Sequence, residues 1–245
     1  MTIILFQWKE ASYTNADGDV FRIYTVCNVA NAEVDNWLRT PYVPRNDANR
    51  LHIEVKFTMR KCTKYPDPGR LQQCKESFKL LYYEAESDFA NAMMPTWDGA
   101  TYRHVDVIAA DRVFSDVNDA VINTETRSVP VTRRGLYFAF QDVGACTTIL
   151  AIRVYYVVCP SVVVNYAVFP RTTAGLELTS IVQSDGSCVE HSAIEQQPSY
   201  LCQADGNWYY PTGGCQCMPG YQPGLNRVST ECLGIRGTLG NLMWL

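Results

Sequence analysis

Histidine is scarce in this sequence: His52, His104 and His191 are the only three in 245 residues. They stand far apart, and neither Ser77 nor Ser180 has a motif around it that would supply a base. A nucleophilic site needs such a base beside its serine or cysteine. His52 falls on the polar side of an alternating run, which predicts a solvated imidazole. The densest acidic group, Glu84, Glu86 and Asp88, alternates at a strand end, as a solvated face does, and offers no glycosidic carboxylate pair. Glycine-rich phosphate loops and dinucleotide fingerprints are missing as well. These absences exclude the common enzyme classes, and no cofactor is expected.

Other absences narrow the class further. No basic run is longer than the pair Arg133 and Arg134, and the net charge is −4, which argues against a nucleic-acid partner. No stretch approaches the roughly 18 apolar residues of a membrane span. No amphipathic helical pattern extends to about twelve residues. No Asn-x-Ser/Thr sequon occurs. Residues 1–6 carry a short apolar patch with no basic region before it and no small-residue cleavage site after it, a poor signal peptide.

Cysteine is the opposite case, with ten in the chain. An even and high count belongs to an oxidising compartment, where bridges persist. Zinc is the competing use, but the close pair Cys215 and Cys217 is C-x-C rather than C-x2-C and lacks a nearby histidine. No metal site is expected. Four cysteines lie in 1–158 (Cys27, Cys62, Cys74, Cys146) and six crowd into 159–232. The first part therefore carries its own core, whereas the second is small, rich in Gly, Pro and Ser, and needs staples.

The first part reads as strands. Leu51, Ile53, Val55, Phe57 and Met59 alternate with His52, Glu54, Lys56 and Thr58, the period-2 pattern of a half-buried strand. Residues 78–83 and 136–140 are aromatic or aliphatic with little polarity on either face, as expected of inner strands in a two-sheet packing. Residues 149–156 form another strand. Turn clusters at 15–19, 66–70 and 111–118 separate them. The expected fold is all-β, a jelly-roll β-sandwich.

A set of short segments in order resembles the ectodomain of the Eph receptor tyrosine kinases. They include Val26-Cys27-Asn28-Val29, Asp35-Asn36-Trp37-Leu38-Arg39-Thr40 and Cys74-Lys75-Glu76-Ser77-Phe78. Ile108-Ala109-Ala110-Asp111, Arg134-Gly135-Leu136-Tyr137 and Ala139-Phe140-Gln141-Asp142-Val143-Gly144-Ala145-Cys146 follow, and Arg153-Val154-Tyr155-Tyr156 leads into Cys159-Pro160. The likeness continues through Gly186-Ser187-Cys188, Asp205-Gly206-Asn207-Trp208 and Cys215-Gln216-Cys217.

That resemblance implies a galactose-binding-like jelly roll over 1–158, a sushi-like module over 159–216 and the start of an EGF-like module over 217–232. The tail 233–245 stops matching. It implies the pairs Cys27–Cys146, Cys62–Cys74, Cys159–Cys202, Cys188–Cys215 and Cys217–Cys232. It also implies an ephrin partner, with receptor self-association as a further contact, and an extracellular location. The chain reads as part of a receptor, without the family's kinase.

By the family pattern Arg60, two residues before Cys62, pairs with an ephrin acid, and Tyr65 with Pro66 forms an apolar wall. Tyr13 and Asn15, in the loop before Cys27, and Thr147 and Thr148, after Cys146, line the remaining sides. Lys61 stands where the family usually has an acid, and Thr147 and Thr148 where small apolar residues are common. Trp37 is assigned to structure. A secreted carbohydrate-binding jelly roll and a structural adhesion module are the alternatives. The Asn15-Ala16-Asp17-Gly18-Asp19 run that would suggest calcium reads as a solvated hairpin turn.

Overall fold

The structure, a computed structural model, describes residues 4–6, 8–14, 17–29, 34–62, 74–116, 119–224 and 230–235. The chain divides into two compact units, 1–155 and 156–245.

The described strands of the first unit are β1 (Ile4–Phe6), β2 (Lys9–Thr14), β3 (Val20–Cys27), β4 (Asn36–Arg39), β5 (Val43–Pro44) and β6 (Arg50–Met59). After them come β7 (Ser77–Ala85), β8 (Arg103–Ala109), β9 (Asn123–Pro130), β10 (Gly135–Asp142) and β11 (Cys146–Tyr155). They form two antiparallel sheets. One has the order β1-β4-β10-β7-β8, with β5 also paired to β10; the other has the order β2-β3-β11-β6-β9. This is the jelly-roll sandwich expected from the strand patterns.

The alternation in β6 does what its chemistry requires. Leu51, Ile53, Val55, Phe57 and Met59 are buried, while the residues between them reach the outer face of the second sheet. Phe57 crosses to Phe78 of β7 edge-on at 5.1 Å, and Phe78 meets Phe140 of β10 at 6.0 Å. These rings tie the two sheets through the apolar core, and aromatic pairs in such tilted geometry contribute about 1 kcal/mol beyond burial.

The strands apolar on both faces have a different second cover from the one expected. Leu136, Phe138 and Phe140 of β10 face the other sheet, but Tyr137 and Ala139 point away from it and are buried too. Their cover is the segment 86–102. Trp37, Leu81, Tyr102 and Ala139 cluster with Tyr83 and Trp97 packed against them. Arg39, only 1% exposed, pins this segment down. Its guanidinium donates to the carbonyls of Asn91 (2.7 Å) and Met94 (3.0 Å), lies 3.3 Å from the Tyr102 hydroxyl, and stacks 4.5 Å from the Trp97 ring centroid. A buried cation is tolerated because several acceptors and π faces share its charge.

The second unit combines two long strands with several short ones. Val182–Asp185, Ser192–Cys202 and Trp208–Cys217 form one three-stranded sheet; Val162–Val164, Ala167–Phe169 and Ser187–Cys188 form another. Its small core gathers Ala167, Phe169 and Cys215, with Tyr200 stacked on Trp208 at 4.9 Å. Cys159–Cys202, Cys188–Cys215 and Cys217–Cys232 brace it. A core this small needs such bridges.

Candidate functional site

Two further disulfides gather one end of the sandwich. Cys27 and Cys146 lie opposite each other in the β3–β11 register and are bonded. Cys62 and Cys74 are bonded at the two ends of 62–74. The chain leaving β6 is sewn to this end by backbone hydrogen bonds: Arg60 N donates to Cys146 O at 2.9 Å, and Lys61 N to Phe114 O at 2.9 Å. On the far side of the second bridge Lys75 N donates to Gly144 O at 2.9 Å, and Cys62 N donates to Glu76 Oε1 at 2.8 Å.

The turn that delivers Cys146 is organised by a buried acid. Asp142 Oδ1 accepts from the N–H groups of Gly144 and Ala145, and Oδ2 accepts from Asn36 Nδ2 at 2.8 Å. Gly144 has φ of +115°, a conformation open to glycine and costly to other residues. Burial pushes the Asp142 carboxyl above its ordinary range, and these donors hold it back in part.

Side-chain direction then decides what this end presents. Thr148 sits opposite Thr25 of β3 and Thr58 of β6, and its hydroxyl donates to Thr25 Oγ1 at 3.1 Å. Three hydroxyls thus form a row on the outer face beside Arg60. Arg60 is half-buried, with its guanidinium 5.7 Å from the Phe114 ring centroid. Thr147, by contrast, points inward beside Met59 and Val26 and is 1% exposed, so it presents nothing to solvent.

Tyr13 lies elsewhere. It pairs with Phe21, four residues along β3 from the Thr25 that meets Thr148, a separation of about 13 Å along the strand. It is 52% exposed and is not brought to Arg60. Asn15, Tyr65 and Pro66 lie outside the described residues.

Thr25, Thr58, Phe114 and Glu76 belong to this end and were not singled out from sequence. The alternation in β6 carried a signal for Thr58, since it shares a face with His52, Glu54 and Lys56. Nothing in sequence marked Phe114, whose place depends on a bridge to Arg60.

No cluster that could hold a metal ion exists among the described residues. His52 departs from the solvated imidazole expected of it. It is half-buried and stacks on Tyr155 at 5.2 Å, and burial, then the nearby Arg50, lowers its pKa. Among the described residues no helix is long and apolar enough to cross a membrane.

An all-β sandwich and a small second unit, braced by five disulfides, define an extracellular protein. Residues 2–159 match the ephrin receptor ligand binding domain and residues 160–217 the ephrin cysteine rich domain. The chain belongs to the ephrin receptor ligand binding domain family. It is 39% identical over 230 residues to ephrin type-B receptor 3 of Gallus gallus, covering 93% of this chain and 23% of that one. To ephrin type-B receptor 2 of Gallus gallus it is 43% identical over 234 residues, with the same coverage of each. To ephrin type-A receptor 4-A of Xenopus laevis it is 41% identical over 220 residues, 88% of this chain and 22% of that one. The chain thus spans about a quarter of the length of these relatives, and both matched regions belong to the ectodomain. Among solved structures, a carbohydrate binding module of Cellvibrio mixtus lichenase 5A aligns over 62% of this chain and 95% of its own at 12% identity and a TM-score of 0.33, too low to bear on function.

Proposed function

We propose that this chain is the ligand-binding portion of an Eph-like receptor and takes a membrane-anchored ephrin from an opposing cell at the end of the sandwich where the two first-unit bridges meet. The observation that carries the reading is the placement of Arg60. Its backbone is fixed to Cys146, its side chain stands beside the Thr25, Thr58 and Thr148 hydroxyls, and the bridged loop 62–74 begins two residues later.

In this reading Arg60 meets an acid of the ephrin, the threonine row forms part of the floor, and Tyr65 with Pro66 supplies an apolar wall. Arginine and aromatic anchors in a desolvated pocket dominate interface energy. Lys61 and Lys75 are exposed beside Arg60 and add positive charge that would draw in an acidic loop. In the same reading 159–216 is a sushi-like spacer and 217–232 opens an EGF-like module.

The test is direct binding of the oxidised chain to a panel of ephrins of both classes and to neutral glycans. Saturable binding to at least one ephrin is expected. Glycan binding with no ephrin binding in either class would overturn the reading.

A further inference from the structure

Beyond the threonine row, the outer face of the second sheet carries a charge pattern that ephrin recognition does not use. Strand register fixes which side chains share that face. Arg50, His52, Glu54, Lys56 and Thr58 alternate outward along β6. Opposite them stand Tyr155, Arg153 and Ala151 of β11 and Ser128, Thr126 and Thr124 of β9. Lys9 of β2 joins the same face through its pairing with Thr25. Four cationic side chains therefore project against a single strand carboxylate, Glu54, on a chain whose net charge is −4. The acids lie elsewhere, so the asymmetry is local to this face.

The face is lined with hydroxyls and carries one aromatic pair. His52 and Tyr155 stack nearly parallel, 15° apart, with the Arg153 guanidinium 5.0 Å from the Tyr155 centroid. Lys56 and Arg153 are exposed, as are Thr124 and Thr126.

We infer that this face is a docking surface for a sulfated polysaccharide. Two features fit that chemistry together. Cations spread along a strand match charges repeated along a chain, and threonine and serine hydroxyls match a polyhydroxylated backbone. An acidic polypeptide would use the cations but has less use for the hydroxyls. The surface lies along the same sheet from Arg60 but does not depend on the ephrin reading, because Lys56, Arg153 and Tyr155 have no part in it.

The test measures binding of the oxidised 245-residue chain to a heparin-derived oligosaccharide, its desulfated form and poly-glutamate, in physiological salt. The sulfated oligosaccharide binds, and the desulfated form and poly-glutamate bind at least about tenfold more weakly. The pair Lys56→Glu and Arg153→Glu weakens heparin binding about tenfold, while Arg133→Glu with Arg134→Glu, the same charge change away from this face, does not. Tyr155→Ala removes the ring against which the Arg153 guanidinium packs and weakens heparin binding without changing the charge. Melting curves of each variant, matched to the parent, show that the fold is kept. No binding of the sulfated oligosaccharide, equal loss in both charge-reversed pairs, or binding of poly-glutamate as tight as heparin would each overturn the inference.

Discussion

The backbone N–H of Arg60 donates to the carbonyl of Cys146 at 2.9 Å, although 86 positions separate the two residues in the chain. That bond joins the exit of β6 to the entry of β11. Each residue is also adjacent to a disulfide or part of one: Cys146 is bonded to Cys27, and Cys62 lies two residues after Arg60. The position of Arg60 is thus set by strands and bridges rather than by a free loop, which is the pre-organisation a recognition site needs.

The bridge at Cys62 and Cys74 closes a loop with a sequence separation of 12. Replacing both by serine should cost about 3 kcal/mol of stability in the chain-entropy view. Ephrin affinity should fall further than the stability loss explains, because the loop base loosens beside Arg60. Chemical denaturation and binding at a temperature where both forms are folded measure the two effects. Equal affinity in the folded double variant would show that the loop plays no part.

Arg39 holds the segment 86–102 against the outer side of the first sheet. Arg39→Met keeps much of the side-chain volume but strands the carbonyls of Asn91 and Met94. A cost of about 3 kcal/mol is expected, as for a hydrogen-bonded charge whose buried partners lose it. Proteolysis should cut first within 86–102. A loss under about 1 kcal/mol, within the ordinary range of one neutral hydrogen bond, would contradict that anchoring role.

Glu84 contributes to the acid limb of the stability profile. Burial alone raises its pKa, but hydrogen bonds from the Thr132 and Arg133 backbone and the Thr132 hydroxyl, with Arg103 nearby, outweigh it and leave the pKa lowered. A depressed carboxyl contributes stability that is present above its unfolded pKa and is lost as pH falls through the folded one. Glu84→Gln should therefore destabilise the protein at neutral pH by about 2 kcal/mol, and the gap to the parent should narrow as the medium is acidified below the ordinary carboxylate range. Unfolding curves across that pH range check the sign. A gap that widens on acidification would reverse the argument.

The strand pattern and the outward face of β6 were legible because burial on one side forces a two-residue period, as the run from Leu51 to Met59 shows. Residues 136–140 were legible as buried on both faces but not as to what buries them. The cover is a segment held by Arg39, and a cation with backbone acceptors leaves no periodic trace. Cysteine number gave the compartment, whereas the pairing came only with the family resemblance, since spacing alone permits many connectivities. Around the site, Arg60 stands out only through the family resemblance, which sets an arginine two residues before Cys62. Thr25 and Phe114 escaped notice because their roles depend on register and on a bridge between distant strands. The resemblance assigns Tyr13 to the site as part of the loop before Cys27, yet the β2–β3 register carries it toward the other end of the sheet.

The most direct measurement is the affinity of Arg60→Glu for whichever ephrin the parent binds best, taken beside the Lys56→Glu and Arg153→Glu pair as a charge control. Reversing the charge at a desolvated contact should cost at least the 2–5 kcal/mol typical of truncating one partner of a buried pair. Arg60→Glu is expected to lose about 30-fold or more in affinity, with its melting curve unchanged, while the control pair loses far less. Ephrin affinity equal to the parent's in Arg60→Glu would contradict this expectation.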